Sequence, residues 1–192
     1  MMKIPVCLVG SLLIGSAAIA APVTYQIDPA HTYPSFEADH FGGVSVWRGK
    51  ATKTSGSIVL DQAAKSGSVD ITVDAGSIDF GHAKLNERAK SPELFDVAKY
   101  PTINYKGTLG GFKGDAPTEV DGQITMHGVT KPLKLTLNQF KCMQNPMLKK
   151  EVCGADASAT LDRSQFGIND GVKYGFKMEV KLQIQVEGIR AS

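Results

Sequence analysis

Between Val120 and Phe140 the chain reads VDGQITMHGVTKPLKLTLNQF, and this stretch restricts the fold more than any other. Val120, Gly122, Ile124 and Met126 fall on one side of an extended chain, and Leu133, Leu135 and Leu137 fall on one side of a second. A period of two with apolar residues on a single face makes half-buried strands, whereas an amphipathic helix needs a period near 3.6. His127-Gly128-Val129-Thr130 is expected to join the two runs as an antiparallel hairpin. Gln123, Thr125, Lys134, Thr136 and Asn138 would then face water, and the apolar row would face whatever the sheet encloses.

The same alternation recurs along most of the chain. After the short YQID, Phe36, Ala38 and His40 alternate with Ser35, Glu37 and Asp39, and Gly42-Gly43 marks a bend. Ile58 and Leu60 share a face in GSIVLD; Val69, Ile71, Val73 and Ala75 share one in SVDITVDAGSI; Ile103 and Tyr105 share one in PTINYKGTLGGF. ADASATLDRSQFGIN follows the hairpin, and the clearest strand comes last, with Phe176, Met178, Val180, Leu182, Ile184 and Val186 on one side. The period is lost only over AKLNERAKSPELFDV, where Leu85, Arg88 and Ala89 fall at helical spacing and Pro92 interrupts. Leu94, Phe95 and Val97 then form an apolar plug.

About eight strands, each with one apolar face, satisfy either a sandwich or a closed barrel. Long strands, paired glycines at bends and one helical segment to close an end favour the barrel. The expected fold is all-β: an antiparallel barrel of about eight strands with one short helical lid. Periodicity alone leaves open whether the inward side chains fill the barrel or line a cavity.

The first twenty residues, MMKIPVCLVGSLLIGSAAIA, have one lysine near the start, an uncharged apolar run and small residues at Ala18-Ile19-Ala20. That layout is expected to be a secretory signal peptide cut after Ala20, taking Cys7 with it and placing the protein in the periplasm. A retained anchor is the alternative, disfavoured by the short run and by Pro5 and two glycines within it. Residues 21–192 then form one domain. Cys142 and Cys153 remain, and in an oxidising compartment a disulfide is favoured over free thiols or a redox pair because their spacing is not Cys-x-x-Cys. The net charge of +2 and the lack of a basic stripe argue against nucleic acid as a partner.

Four long stretches, YQIDPAHTYPSFEADHF, SIDFGHAKLNERAKSPELFDVAKYPTINYKG, GQITMHGVTKPLKLTL and DRSQFGIN, resemble the YceI-like family of exported bacterial proteins in the same order. The resemblance implies a lipocalin-like barrel that holds a polyisoprenoid chain, such as a quinone tail, without catalysing a reaction on it. It also implies no catalytic cofactor, a homodimer as a common state, and transient contact with a membrane or a membrane redox protein. Two departures stand out: Thr32-Tyr33-Pro34 follows His31 where the family usually has serine, and the Cys142–Cys153 insertion lengthens a rim connection.

Catalysis finds little support in the residues themselves. There is no Gly-x-Ser-x-Gly, no His-Glu-x-x-His and no phosphate-cradling loop. His31, His40, His82 and His127 are not at ligand spacing within any one element, so no metal site is expected and each reads as a rim or turn residue. His40 is balanced between a ligand's polar head and an ordinary strand end. With the resemblance added, the expected lipid-contacting residues are Phe36, Ala38, His40, Ile58, Leu60, Val73, Phe80, Leu85, Phe95, Ile103, Tyr105, Ile124, Met126, Leu135, Phe166, Met178, Leu182 and Ile184. Phe80, His82, Leu85 and Phe95 mark the expected mobile entrance. Asp162 and Arg163, in the late motif, are expected to pair with each other near the rim. Two further readings stay open: an interaction module with a filled barrel, and a redox accessory that uses a bound quinone.

Overall fold

The structure, a computed structural model, describes residues 21–192; the expected leader lies outside the described residues. Eleven strands and one α-helix follow in order: β1 Val23–Ile27, β2 Tyr33–His40, β3 Ser45–Ala51, β4 Thr54–Asp61, β5 Ser66–Asp74, β6 Ile78–Asp79, α1 Ala83–Lys90, β7 Thr102–Gly110, β8 Glu119–Met126, β9 Val129–Asn145, β10 Lys150–Asp162 and β11 Glu179–Arg190. Every pairing is antiparallel, and contact between β1 and β11 closes the sheet on itself. The result is a barrel of eight staves, because three staves are each broken in two. β1 and β2 both run along β11, β1 at Ile27↔Gly188 and β2 from Tyr33↔Gln185, with Asp28–Thr32 as the break between them. β3 and β4 pair with β2 and β1 in turn, and β6 and β5 pair with β3 and β4. The barrel expected from alternation is therefore the observed fold.

One end, here called upper, carries the β2–β3 turn, α1, the β8–β9 turn and the 163–178 connection. The other carries the first described residues, the β4–β5 turn, the β7–β8 connection and the β9–β10 tip. The β8–β9 connection is shorter than the sequence suggests. Met126 already faces Val129, so only His127 and Gly128 turn, both at positive φ (53° and 77°). That mirror-image turn matches the right-handed twist of the strands it joins, and Gly128 takes it at no steric cost.

β9 and β10 run past the rest of the sheet as a ribbon. Cys142 faces Cys153 directly across it and the two are disulfide-bonded, so the staple lies within paired strands, not across the lengthened rim loop the sequence suggests. Asn138 is the extra residue of a bulge between Gln139↔Asp156 and Leu137↔Ala157. Its side chain bonds Asp156 and Ser158 at 2.8 and 3.2 Å. The bulge shifts the inward phase of β9 from Leu133, Leu135 and Leu137 to Phe140, as one inserted residue must in a period of two.

The last strand begins later than alternation implies. Phe176, Lys177 and Met178 belong to the connection; the Lys177 N–H is taken by the Asp39 carboxylate at 3.0 Å, and regular pairing starts at Asp162↔Glu179.

Candidate functional site

The barrel encloses a cavity lined by residues from both its upper and its lower end, His40, Trp47 and Arg88 above and Tyr25, Leu109 and Val120 below. Each residue of β2 is half-buried, with no alternation between its faces. Outward side chains there meet solvent, while Phe36, Ala38 and His40 line an internal cavity of about 470 Å³. At the lower end Tyr25, Leu60, Leu109 and Val120 are 2 to 8 % exposed, pack in one apolar cluster and line the cavity there. The Tyr25 hydroxyl donates to Glu151 at 3.0 Å, and burial pushes that phenol up to about 12.

Small side chains leave room in the barrel interior. β10 presents Ala155 and Ala157 to the interior, opposite larger aliphatics on β4, β5 and β7. Gly49 lies directly across from Phe36, and the Phe36 ring lies over it, edge-on to Phe80 at 5.3 Å between centroids. Tyr105 crosses Gly122 in the same way, and its hydroxyl donates to the Leu133 carbonyl at 2.9 Å, so that half-buried phenol is committed to the wall. Burial raises its pKa.

Of the lipid-contacting residues expected from sequence, the fold gathers all but two around this cavity: Phe36, Ala38, His40, Ile58, Leu60, Val73, Phe80, Leu85, Phe95, Ile103, Tyr105, Ile124, Met126, Leu135, Leu182 and Ile184. Phe166 and Met178 are not among its walls. Phe166 is buried in a 3₁₀ turn (Arg163–Phe166) outside the cavity, where its carbonyl accepts from the His127 ring at 2.9 Å. Met178 falls outside the regular run of β11, and its carbonyl accepts the Arg163 N–H at 2.9 Å. Trp47, Phe176, Thr54 and Arg163 also line the cavity and were not expected.

Polar groups facing the cavity are few. The Arg163 guanidinium does not pair with Asp162; it donates to the carbonyls of Ile168 and Asp170 at 3.1 and 2.7 Å. Asp162 instead accepts from the Ser164 N–H and hydroxyl, which holds its carboxyl below the usual range. Thr54 is 5 % exposed, heads the inward row of β4, and its hydroxyl has no partner. Across the mouth, Arg88 of α1 reaches Asp170 of the 163–178 connection through two hydrogen bonds, 3.1 and 2.9 Å. Both residues line the cavity, so the ion pair spans its upper opening.

The other histidines make ordinary contacts. His82 caps α1 through the Leu85 N–H. His31 bonds Asp28 at 2.7 Å, and Glu187 lies close by, but none of the three lines the cavity. His40 sits at the mouth against Phe41, Trp47 and Phe176 with Ser45 as its polar partner. The arrangement offers apolar surface, an opening crossed by the Arg88–Asp170 pair and one unpartnered hydroxyl.

The profile of the YceI-like domain family matches residues 25–188, which spans every stave of the barrel. The chain belongs to the YceI-like domain family. A UPF0312 protein of Vibrio cholerae is 30 % identical over 175 residues, covering 91 % of this chain and 90 % of that one. A UPF0312 protein of Pseudomonas aeruginosa is 30 % identical over 187 residues, with 94 % and 96 % covered. Among solved structures, BcnA of Burkholderia cenocepacia superposes with a TM-score of 0.67 at 21 % identity, over 84 % of this chain and 98 % of that one. A polyisoprenoid binding domain from Saccharophagus degradans, implicated in plant cell wall breakdown, superposes at 0.61 with 13 % identity, over 87 % and 98 %. At those identities the likeness shows a shared fold alone.

Proposed function

We propose that this YceI-like barrel binds a polyisoprenoid lipid, a quinone or related amphiphile, and acts as its exported carrier or reservoir without chemically changing it. The observation that carries the reading is the apolar cavity between β2 and the aliphatic faces of β4, β5, β7, β8 and β11. Its volume of about 470 Å³ lies in the range of sites that enclose most of a small ligand. Each Å² of hydrocarbon removed from water contributes about 25 cal/mol, so a branched tail can be held with few polar contacts. The polyisoprenoid binding domain that shares the fold supports the ligand class. The disulfide supports an oxidising, periplasmic setting.

A filled interaction module fits poorly with half-buried aromatics facing an internal space. Organic extraction of natively purified protein followed by mass spectrometry tests the proposal. A prenyl lipid in the extract, with rebinding of long-chain quinones by the stripped protein, is the expected result; repeated absence of both would reject it.

A further inference from the structure

The large apolar side chains exposed among the described residues sit at the two ends of the barrel. One group, Phe41, Val44, Val46, Val172 and Tyr174, surrounds the cavity mouth. Val44 is 79 % exposed on the β2–β3 turn, and Tyr174 is 58 % exposed on the 3₁₀ turn Val172–Tyr174. Exposed apolar residues concentrated on two turn tips beside an opening usually mark a contact site.

The two tips form one unit. The Asp39 carboxylate accepts the N–H of Gly42 from the first and of Lys177 beside the second, at 2.8 and 3.0 Å. Phe41 meets Phe176 at 4.8 Å and Tyr174 at 6.4 Å between centroids. Because Phe176 lines the cavity, an apolar path runs from the interior through Phe176 to Phe41 and out to Tyr174. Lys173 lies over the Tyr174 ring at 5.0 Å, and neither it nor Lys177 has a carboxylate ion-pair partner among the described residues. Of the carboxylates nearby, Asp39 is turned onto backbone N–H groups, which hold it ionised, and Asp170 is taken by Arg88.

We infer that this collar docks the cavity mouth onto a phospholipid bilayer bearing anionic headgroups. Tips that project apolar side chains with an aromatic and a lysine at their base match the depth profile of a membrane interface: ring at headgroup level, ammonium reaching the phosphate. A bilayer at this position would join its acyl region to the cavity along the Phe176–Phe41 path, so a hydrocarbon chain need not cross water. A second copy seated on the same collar would instead seal the mouth and leave a lipid no exit.

The inference rests on the proposed lipid-binding role, and the test separates them. The full protein is sedimented with vesicles of phosphatidylethanolamine and phosphatidylglycerol, and with phosphatidylcholine alone. The variants are Val44→Ser and Tyr174→Ser, neither of them at a cavity wall. Their thermal transitions are checked against the unsubstituted protein. Transfer of a long-chain quinone is followed from vesicles and, separately, from detergent micelles. Binding that favours the anionic vesicles and falls at least tenfold in the variants is expected. So is transfer from vesicles slowed at least tenfold, with micelle-delivered binding unchanged. Vesicle binding that ignores the substitutions would overturn the inference, as would a concentration-dependent dimer abolished by Val44→Ser without vesicle binding. Collar-dependent vesicle binding by a protein that takes quinone from neither source would sustain docking and remove the lipid-carrier reading.

Discussion

The ring of Phe36 lies over Gly49 on the paired strand, with its Cζ 2.5 Å from where a Cβ at that glycine would stand. A methyl group there has only the far end of the ring to displace, so Gly49→Ala should fold and turn Phe36 into the cavity. The rotation costs on the order of 1 kcal/mol, and the displaced ring occupies ligand space. Quinone affinity is expected to fall about tenfold, a loss of roughly 1.4 kcal/mol, with the melting temperature changed by only a few degrees. Fluorescence titration of stripped protein checks it, and unchanged affinity would mean the cavity at Phe36 is not where the ligand lies.

Arg88 and Asp170 clasp α1 to the opposite connection across the mouth. Their side chains are 52 % and 27 % exposed, so the pair contributes little to global stability, about 0 to 1 kcal/mol. Its effect should be kinetic. Arg88→Gln or Asp170→Asn is expected to speed both uptake and release several-fold in stopped-flow measurements, and raised salt should narrow the difference from the unsubstituted protein. Equal rates would show that the lipid passes elsewhere.

Asp28 is held below its usual range mainly by the hydrogen bond with His31, and His31 is raised mainly by the same bond. The signs differ in consequence. Asp28's contribution is present above its unfolded value of 3.8 and is lost as pH falls through the lower folded value. His31's is fully present below 6.5 and is lost as pH rises through the raised folded value. The pair therefore supports the β1–β2 break best between about pH 4 and 6. His31→Asn should flatten the decline in stability above pH 6.5, measured by urea unfolding across that window. A decline identical in both proteins would assign it to other groups.

The strands were legible because a barrel wall has one inside, and alternation reports which side each residue takes. Hollowness was not legible in the same way, since periodicity names the inward face without saying how far away the opposite wall stands. Small residues carry that information: Ala155 and Ala157 on β10 and Gly49 under Phe36 are where the interior gains room. Met178 was misplaced by extending the β11 pattern upstream into residues whose backbone bonds go to Asp39 and Arg163. Phe166 lies in a matching motif that serves a turn, with its carbonyl bound to His127. The Arg88–Asp170 clasp joins residues 82 apart and left no local trace.

The Cys142–Cys153 staple closes a short ribbon whose outer part pairs only with itself. Chain-entropy reasoning gives a loop of this size up to about 3 kcal/mol, less where the hairpin register already restrains it. Replacing both cysteines with serine is expected to lower global stability by about 1 to 3 kcal/mol and to speed amide exchange chiefly between Lys141 and Val152. Exchange that rises evenly around the barrel would instead make the staple part of the cooperative core.

Thr54 yields a prediction of opposite sign with and without ligand. Its hydroxyl is buried at the head of the inward β4 row and bonds nothing. An unpartnered buried hydroxyl costs about 1 to 3 kcal/mol. Thr54→Val keeps the shape and removes that cost, so the stripped variant should be more stable by up to about 1 kcal/mol in denaturant unfolding. If the hydroxyl exists to meet an oxygen on the bound lipid, the same change should weaken an oxygenated ligand such as a quinone about threefold to tenfold. A prenyl hydrocarbon without oxygen should bind as before. A stability gain with no selective loss would mean the ligand's polar end lies elsewhere, at the mouth beside His40 and Arg163.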